Sequence, residues 1–134
     1  MRVALCLDDR QGMMFNHRRQ SRDRVLIADL LADLQGRLLI KPYSAPLFNA
    51  DDTRITLCES PMELAGKGDL CFIEDEGIAP YLSKISEIVI YRWNRHYPAD
   101  LYFDYDMSGY TLVRSDEFVG SSHERITKEV WRSL

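Results

Sequence analysis

Apolar positions along the 134-residue chain fall into short runs set off by turn residues, and the spacing inside each run predicts its element. Val3-Ala4-Leu5-Cys6-Leu7 predicts a strand over residues 2–8. Leu26, Ile27, Leu30, Leu31 and Leu34 recur at helical spacing. They predict a helix from Ser21 to Gln35, with Ser21 as N-cap, Asp23 in the first turn and Gly36 ending it. Between strand and helix, Gly12-Met13-Met14-Phe15-Asn16 reads as an apolar loop, either a lid on a flat ring or a segment tucked into the core.

The rest of the chain alternates in the same way. Arg37–Lys41 predicts a strand, Pro42 and Pro46 break regularity, and Asn49–Asp52 is a turn cluster. Arg54–Cys58 alternates as a short strand, and Ser60-Pro61-Met62-Glu63 opens a short helix with a capping box and Pro at its first position. Leu70–Ile73 is a strand buried on both faces, Ile78–Ile85 a helix, Glu87–Trp93 a strand and Asp100–Phe103 another. Tyr110–Val119 and Arg125–Arg132 form a terminal hairpin joined through Gly120-Ser121-Ser122-His123. Strands alternating with helices predict one α/β domain over 1–134, with a mainly parallel central sheet flanked by helices and an antiparallel C-terminal hairpin.

Composition narrows the classes. No apolar run is long enough to span a membrane, and acidic Asp8 and Asp9 come too early for a signal peptide, so the expected location is cytoplasmic. A net charge of −4 argues against bulk nucleic-acid binding and against an anionic membrane surface. Cys6, Cys58 and Cys71 lie in apolar runs without metal spacing, and His17, His96 and His123 are scattered, so no metal site is predicted.

Against that acidic background the segment Asp9 to Arg24 concentrates His17, Arg18, Arg19, Arg22 and Arg24 at a helix start. Guanidinium forks and helix N–H groups suit a phosphate or carboxylate. The predicted ligand residues are Asp9, Gly12, Met13, Phe15, Asn16, Arg18, Arg19, Gln20 and Arg22, joined by Lys41 and Ser44. The competing reading pairs these cations internally with Asp8, Asp9, Asp23 or Glu74-Asp75-Glu76. Asp23 is a candidate general acid if burial raises its pKa, and Asp8, Asp9 and Asp23 together a weaker cation site.

The element order and several motifs resemble dihydrofolate reductase over most of the chain. Asp8, Gly12 and Met13 match the family's loop over its active site, and Asp23 stands near the acidic residue that protonates the pterin. The apolar strand 70–73, the turn 74–77, the helix after it and strand 87–93 match the central signature, and Leu101-Tyr102-Phe103-Asp104 a later one. The chain also resembles a set of short bacterial proteins of unassigned activity that share the Asp-Asp, Gly-Met, Phe-Asn, Arg-Arg-Gln-Ser and Asp-Arg elements.

The resemblance implies a reductase-like fold, and its departures imply altered chemistry. Where the reductases carry consecutive glycines against the cofactor diphosphate, this chain has Glu74-Asp75-Glu76 before Gly77. One like-charge pair at 4 Å costs roughly 4 kcal/mol at an effective dielectric of 20, which predicts that this turn rejects a dinucleotide. Lys41-Pro42-Tyr43-Ser44 keeps a cation and a hydroxyl where the family has an arginine-containing phosphate segment, and residues 44–55 are too few for the strand found there. The expected function is binding of a small anionic or aromatic, nucleotide-like molecule at 9–24, with NADPH disfavoured and ordinary folate reduction not expected. The alternatives are a non-catalytic module using the arginine segment on a protein or nucleic-acid partner, an atypical NADPH-dependent reductase, and a metal-dependent phosphoesterase on Asp8, Asp9 and Asp23.

Overall fold

A computed structural model describes residues 1–134. Its strands are β1 (Arg2–Leu7), β2 (Gly12–Phe15), β3 (Arg18–Arg19), β4 (Leu38–Ile40), β5 (Ile55–Leu57), β6 (Leu70–Phe72), β7 (Glu87–Arg92), β8 (Leu101–Tyr102), β9 (Tyr110–Phe118) and β10 (Ile126–Ser133). The α-helices are α1 (Arg24–Ala32) and α2 (Pro61–Leu64), and Pro42–Leu47 and Ala79–Lys84 are 3-10 turns. The main sheet has the order β5-β4-β6-β1-β7-β10-β9. Strands β5 to β7 run parallel, and β10 and β9 add antiparallel at one edge. The mainly parallel sheet and its closing hairpin match the sequence pattern.

Two-residue alternation along the strands splits the core between the two faces. Val3, Leu5 and Leu7 of β1 pack with Leu39, Met62, Ile78, Ile85, Ile88 and Ile90. Ala4 faces the other side, with Leu26 and Leu30 of α1, Phe72, Val89, Tyr91 and Ile126. The crossover leaving β1 therefore covers one face, and the one leaving β6 covers the other. Neighbouring strands whose continuations part to opposite faces leave a crevice at their carboxyl ends.

Four elements differ from the sequence expectation. Helix α1 begins at Arg24, because Asp23 and not Ser21 is the N-cap: its backbone is extended (φ −153°) and its carboxylate accepts from Val25 and Leu26 N–H. The helix also stops at Ala32, short of Gln35. Gly36 instead answers a close approach, since a Cβ there would lie 2.8 Å from the Gly68 carbonyl oxygen. The segment 78–85 is a 3-10 turn and not an α-helix, held by Tyr81 N–H to Ile78 O and Ile85 N–H to Leu82 O, with Pro80 at its start. Ser60 caps α2 by position alone, and Glu63 accepts from the Tyr81 hydroxyl rather than closing a capping box.

The fourth difference matters most for the site. Residues 12–16 are not a loop, because β2 is the middle strand of a separate three-stranded sheet, β3-β2-β8. Asn16 (φ 51°) and His17 (φ 60°) make the two-residue turn between Phe15 and Arg18. Strand β8 lies outside the main sheet and pairs with β2, through Gly12↔Tyr102 and Met14↔Leu101. Asp100 extends that clasp by accepting from Asn16 N–H at 3.0 Å.

Leu5, fully buried in the central strand, measures how much the sheet depends on its packing. Leu5→Ala should cost about 2–5 kcal/mol, read as a lowered urea midpoint at unchanged slope.

Candidate functional site

Two buried carboxylates shape the end of the sheet. Asp8, just past β1, is 1% exposed. Its Oδ1 accepts from Arg10 N–H (2.9 Å) and Gly12 N–H (2.7 Å), and its Oδ2 from the Gln20 amide and Tyr97 N–H (both 3.2 Å). Burial alone would raise its pKa, but these donors outweigh it and hold the carboxyl below its ordinary range. Gly12 is required by this close approach: a Cβ would lie 2.6 Å from Gln20 Nε2 and 2.9 Å from Asp8 Oδ1.

Asp23 is satisfied more fully still. Oδ1 accepts from the N–H groups of Val25 (2.9 Å), Leu26 (3.2 Å) and Ser121 (3.0 Å). Oδ2 takes Ser122 N–H (2.9 Å), the Ser122 hydroxyl (3.3 Å) and His123 Nδ1 (3.0 Å). Burial would raise this pKa as well, yet the donors from Ser122, His123, Ser121 and Leu26 drive it far below the usual carboxylate value. The expectation of an acid with a raised pKa is thereby reversed. An ionised carboxylate with this many donors holds no proton to give at neutral pH. Gly120 leaves the space, since a Cβ there would collide with Asp23 Oδ2. No group of three or more His, Cys, Asp or Glu side chains is arranged to hold a metal ion.

The crevice between these anchors is a narrow, closely packed cleft with about 20 Å³ of free volume. Cys6, Met13, Leu26, Ile27, Leu47, Phe72, Ile73 and Trp93 give it apolar walls, and Arg19, Gln20, Ser21, Arg22, Asp23 and Glu74 line the rest. Gln20 Oε1 is buried without a hydrogen-bond partner. Turning the amide over would set that oxygen against the Asp8 carboxylate, so the unpaired acceptor stays where it is. Burial, with Glu74 and Asp23 nearby, pushes the Cys6 thiol well up, so it is not a thiolate. Cys71, on the far face, is pushed up to about 12 by burial.

The predicted binding residues divide here. Met13, Arg19, Gln20, Arg22, Asp23 and Glu74 meet at the cleft. Asp9, Phe15, Asn16, Arg18 and Gly77 are exposed, away from its lining. Arg19 donates to both oxygens of Glu74 (2.9 and 3.1 Å) and lies over the Tyr43 ring. Ser44 donates to Glu74 Oε1 at 2.6 Å. Lys41 pairs with Asp75 at 3.2 Å and with Glu76. The turn is thus not the bare trio of negative charges that the sequence presents, because two cations and a hydroxyl are already bound to it. Sequence reasoning missed Ser21 and Trp93 as cleft components, and His123 buried behind them. Trp93 and His123 carry no local motif, and only the folding of residues 119–125 onto α1 stacks the two rings.

No protein-family profile matches the chain, and no curated protein matches its sequence. Among solved structures it is similar to dihydrofolate reductase from Enterococcus faecalis, determined in complex with NADP(H) and RAB-propyl. That likeness covers 98% of this chain and 95% of the other at a TM-score of 0.66, with 10% sequence identity. The fold is therefore dihydrofolate reductase-like. No helix is long and apolar enough to cross a membrane.

The two anchors set an acid limit. Both folded pKa values lie below their unfolded value, so the stability they confer is complete above about pH 4 and is lost as pH falls through the folded values. Urea midpoints taken from about pH 7 to about pH 2 should fall steadily below pH 4. Asp8→Asn and Asp23→Asn should each lower the neutral midpoint and flatten that descent.

Proposed function

We propose that the cleft binds a small, flat, heteroaromatic molecule carrying a single anionic group, and that the protein does not use a pyridine dinucleotide. The observation that carries this reading is the pairing of narrow apolar walls with one unmatched acceptor, Gln20 Oε1. A ring of few atoms gains from burial between Phe72, Leu26 and Met13, and a ring N–H becomes the missing donor once the Gln20 amide turns toward the cleft. Arg22 at the cleft wall offers a guanidinium for a carboxylate or a monophosphate.

The case against a dinucleotide lies in what its phosphates would have to displace. Arg19, Lys41 and Ser44 are the groups nearest in kind to a phosphate site, and all three are held by Glu74, Asp75 and Glu76. A diphosphate would break those partly buried pairs and leave carboxylates unpaired beside its own charge. Folate reduction with a nicotinamide cofactor is accordingly not the reaction assigned to this protein.

Thermal shift with pterin-6-carboxylate, folate, adenosine monophosphate and NADPH tests the reading. At a hundred times its dissociation constant, a ligand of the folded state adds about 2.7 kcal/mol. Stabilisation by a single-ring-system anion with none from NADPH is the expected result, weakened about tenfold or more by Arg22→Ala. Clear stabilisation by NADPH, or none by any heterocycle, overturns it.

A further inference from the structure

Three side chains at the inner wall of the cleft stand in a line that ligand binding alone does not call for. Ser21 Oγ lies 3.1 Å from His123 Nε2. On the other side of the ring, His123 Nδ1 lies 3.0 Å from Asp23 Oδ2. A carboxylate only accepts, so Nδ1 bears the hydrogen and, in the neutral ring, Nε2 bears the lone pair. Two hydroxyls reach that lone pair, Ser21 at 3.1 Å and Tyr97 at 2.9 Å. A hydroxyl, an imidazole and a carboxylate so ordered make up an activated nucleophile, its base and the group that orients the base.

The surroundings fix this arrangement and open only one end of it. Trp93 stacks on the His123 ring at 4.5 Å between centroids and 23° between planes. The Tyr97 hydroxyl shares Nε2 with Ser21 and yields the lone pair when the Ser21 proton is taken up. The side chains of His123 and Asp23 are 1% and 0% exposed, whereas Ser21 is only half-buried and lines the cleft. Anchoring the 119–125 segment to α1 needs the Nδ1 contact and the Ser121 and Ser122 N–H groups. It does not need the second ring nitrogen aimed at a hydroxyl on the cleft wall.

The geometry points to an acyl-transfer site: Ser21 is a nucleophile toward small carboxylic esters, His123 is its general base, and Asp23 is a positioning residue. This rests on the cleft being a ligand site, as proposed above. Ser21 Oγ bonds to the ester carbonyl carbon while its proton passes to His123 Nε2. The carbonyl electron pair moves onto oxygen, where the Arg22 guanidinium, on the same wall, meets the negative charge. Collapse breaks the bond to the alcohol oxygen, which leaves with the proton from Nε2. Water, deprotonated by the same nitrogen, then cleaves the Ser21 ester and releases the carboxylic acid. The narrow apolar walls select a flat or unbranched acyl group. Cys6, the other nucleophilic atom in the cleft, is held as a thiol by burial and does not compete.

Incubation with a fluorophosphonate probe, followed by intact mass and peptide mapping, tests the nucleophile directly. The wild-type protein should gain a single phosphonyl group on the peptide containing Ser21, and Ser21→Ala should gain none while melting at the wild-type temperature. Turnover of p-nitrophenyl acetate should fall by about a hundredfold or more in Ser21→Ala. Asp23→Asn, if folded, should lower kcat at unchanged KM, a split that a merely structural anchor would not produce. Absence of labelling in the wild type, or equal labelling of Ser21→Ala, overturns the proposal. Thermal shift with pterin-6-carboxylate on Ser21→Ala separates the two readings. Stabilisation without wild-type labelling removes the nucleophile alone, and labelling without any heterocycle stabilisation removes the ring-binding reading.

Discussion

The carboxylate of Asp23 is the contact on which the cleft depends. One side chain accepts from the first turn of α1, from the backbone after β9 and from a buried imidazole. These parts lie about a hundred residues apart in the chain, and without a common acceptor their N–H groups would be buried and unpaired, a state that costs more than any one of the bonds is worth. Because the charge is satisfied on every side, it can stay ionised in the interior without a cation beside it. The same donors hold its pKa far below the usual carboxylate value.

Asp8 does the same work on the opposite lip. It gathers the turn after β1, the Gln20 amide and the backbone at Tyr97. Between the two anchors the walls come from Cys6 of β1, Phe72 and Ile73 at the end of β6, and Leu26 and Ile27 of α1. The electrostatics of the outer rim are self-contained, since Arg19 and Lys41 are each bound to the turn at 74–76. Positive charge at the rim is therefore cancelled locally by the neighbouring carboxylates.

Much of this was legible in the sequence where a physical rule acts locally. Period-two and period-3.6 patterns located β1, α1, β6, β7 and the final hairpin, because burial acts residue by residue on each face. The arginine segment and the acidic turn were recognised as related, and internal pairing was weighed against ligand binding. What could not be read was set by distance in sequence. Ser21 looks like a helix cap, and only the approach of His123 turns its hydroxyl to other use, leaving Asp23 to cap α1. Met13 and Met14 look like loop residues, because the partner that makes β2 a strand is the two-residue β8, some ninety positions on. The 3-10 turn at 79–84 misled for a different reason: its composition suits an α-helix, and the shortness of the span between Ile78 and Ile85, both buried, tightens it.

The small sheet β3-β2-β8 carries a further implication for how the molecule breathes. Its strands are short, it shares no ladder with the seven-stranded sheet, and Phe15 and Tyr102 on it are half-exposed. Such a unit has its own cooperativity and opens at a smaller free-energy cost than the whole domain. Amide protons of Met13 to Arg19 therefore exchange with solvent ahead of those in β1 and β7. Met13 and Arg19, at the two ends of that segment, both line the cleft, so loosening of the small sheet loosens one cleft wall with it.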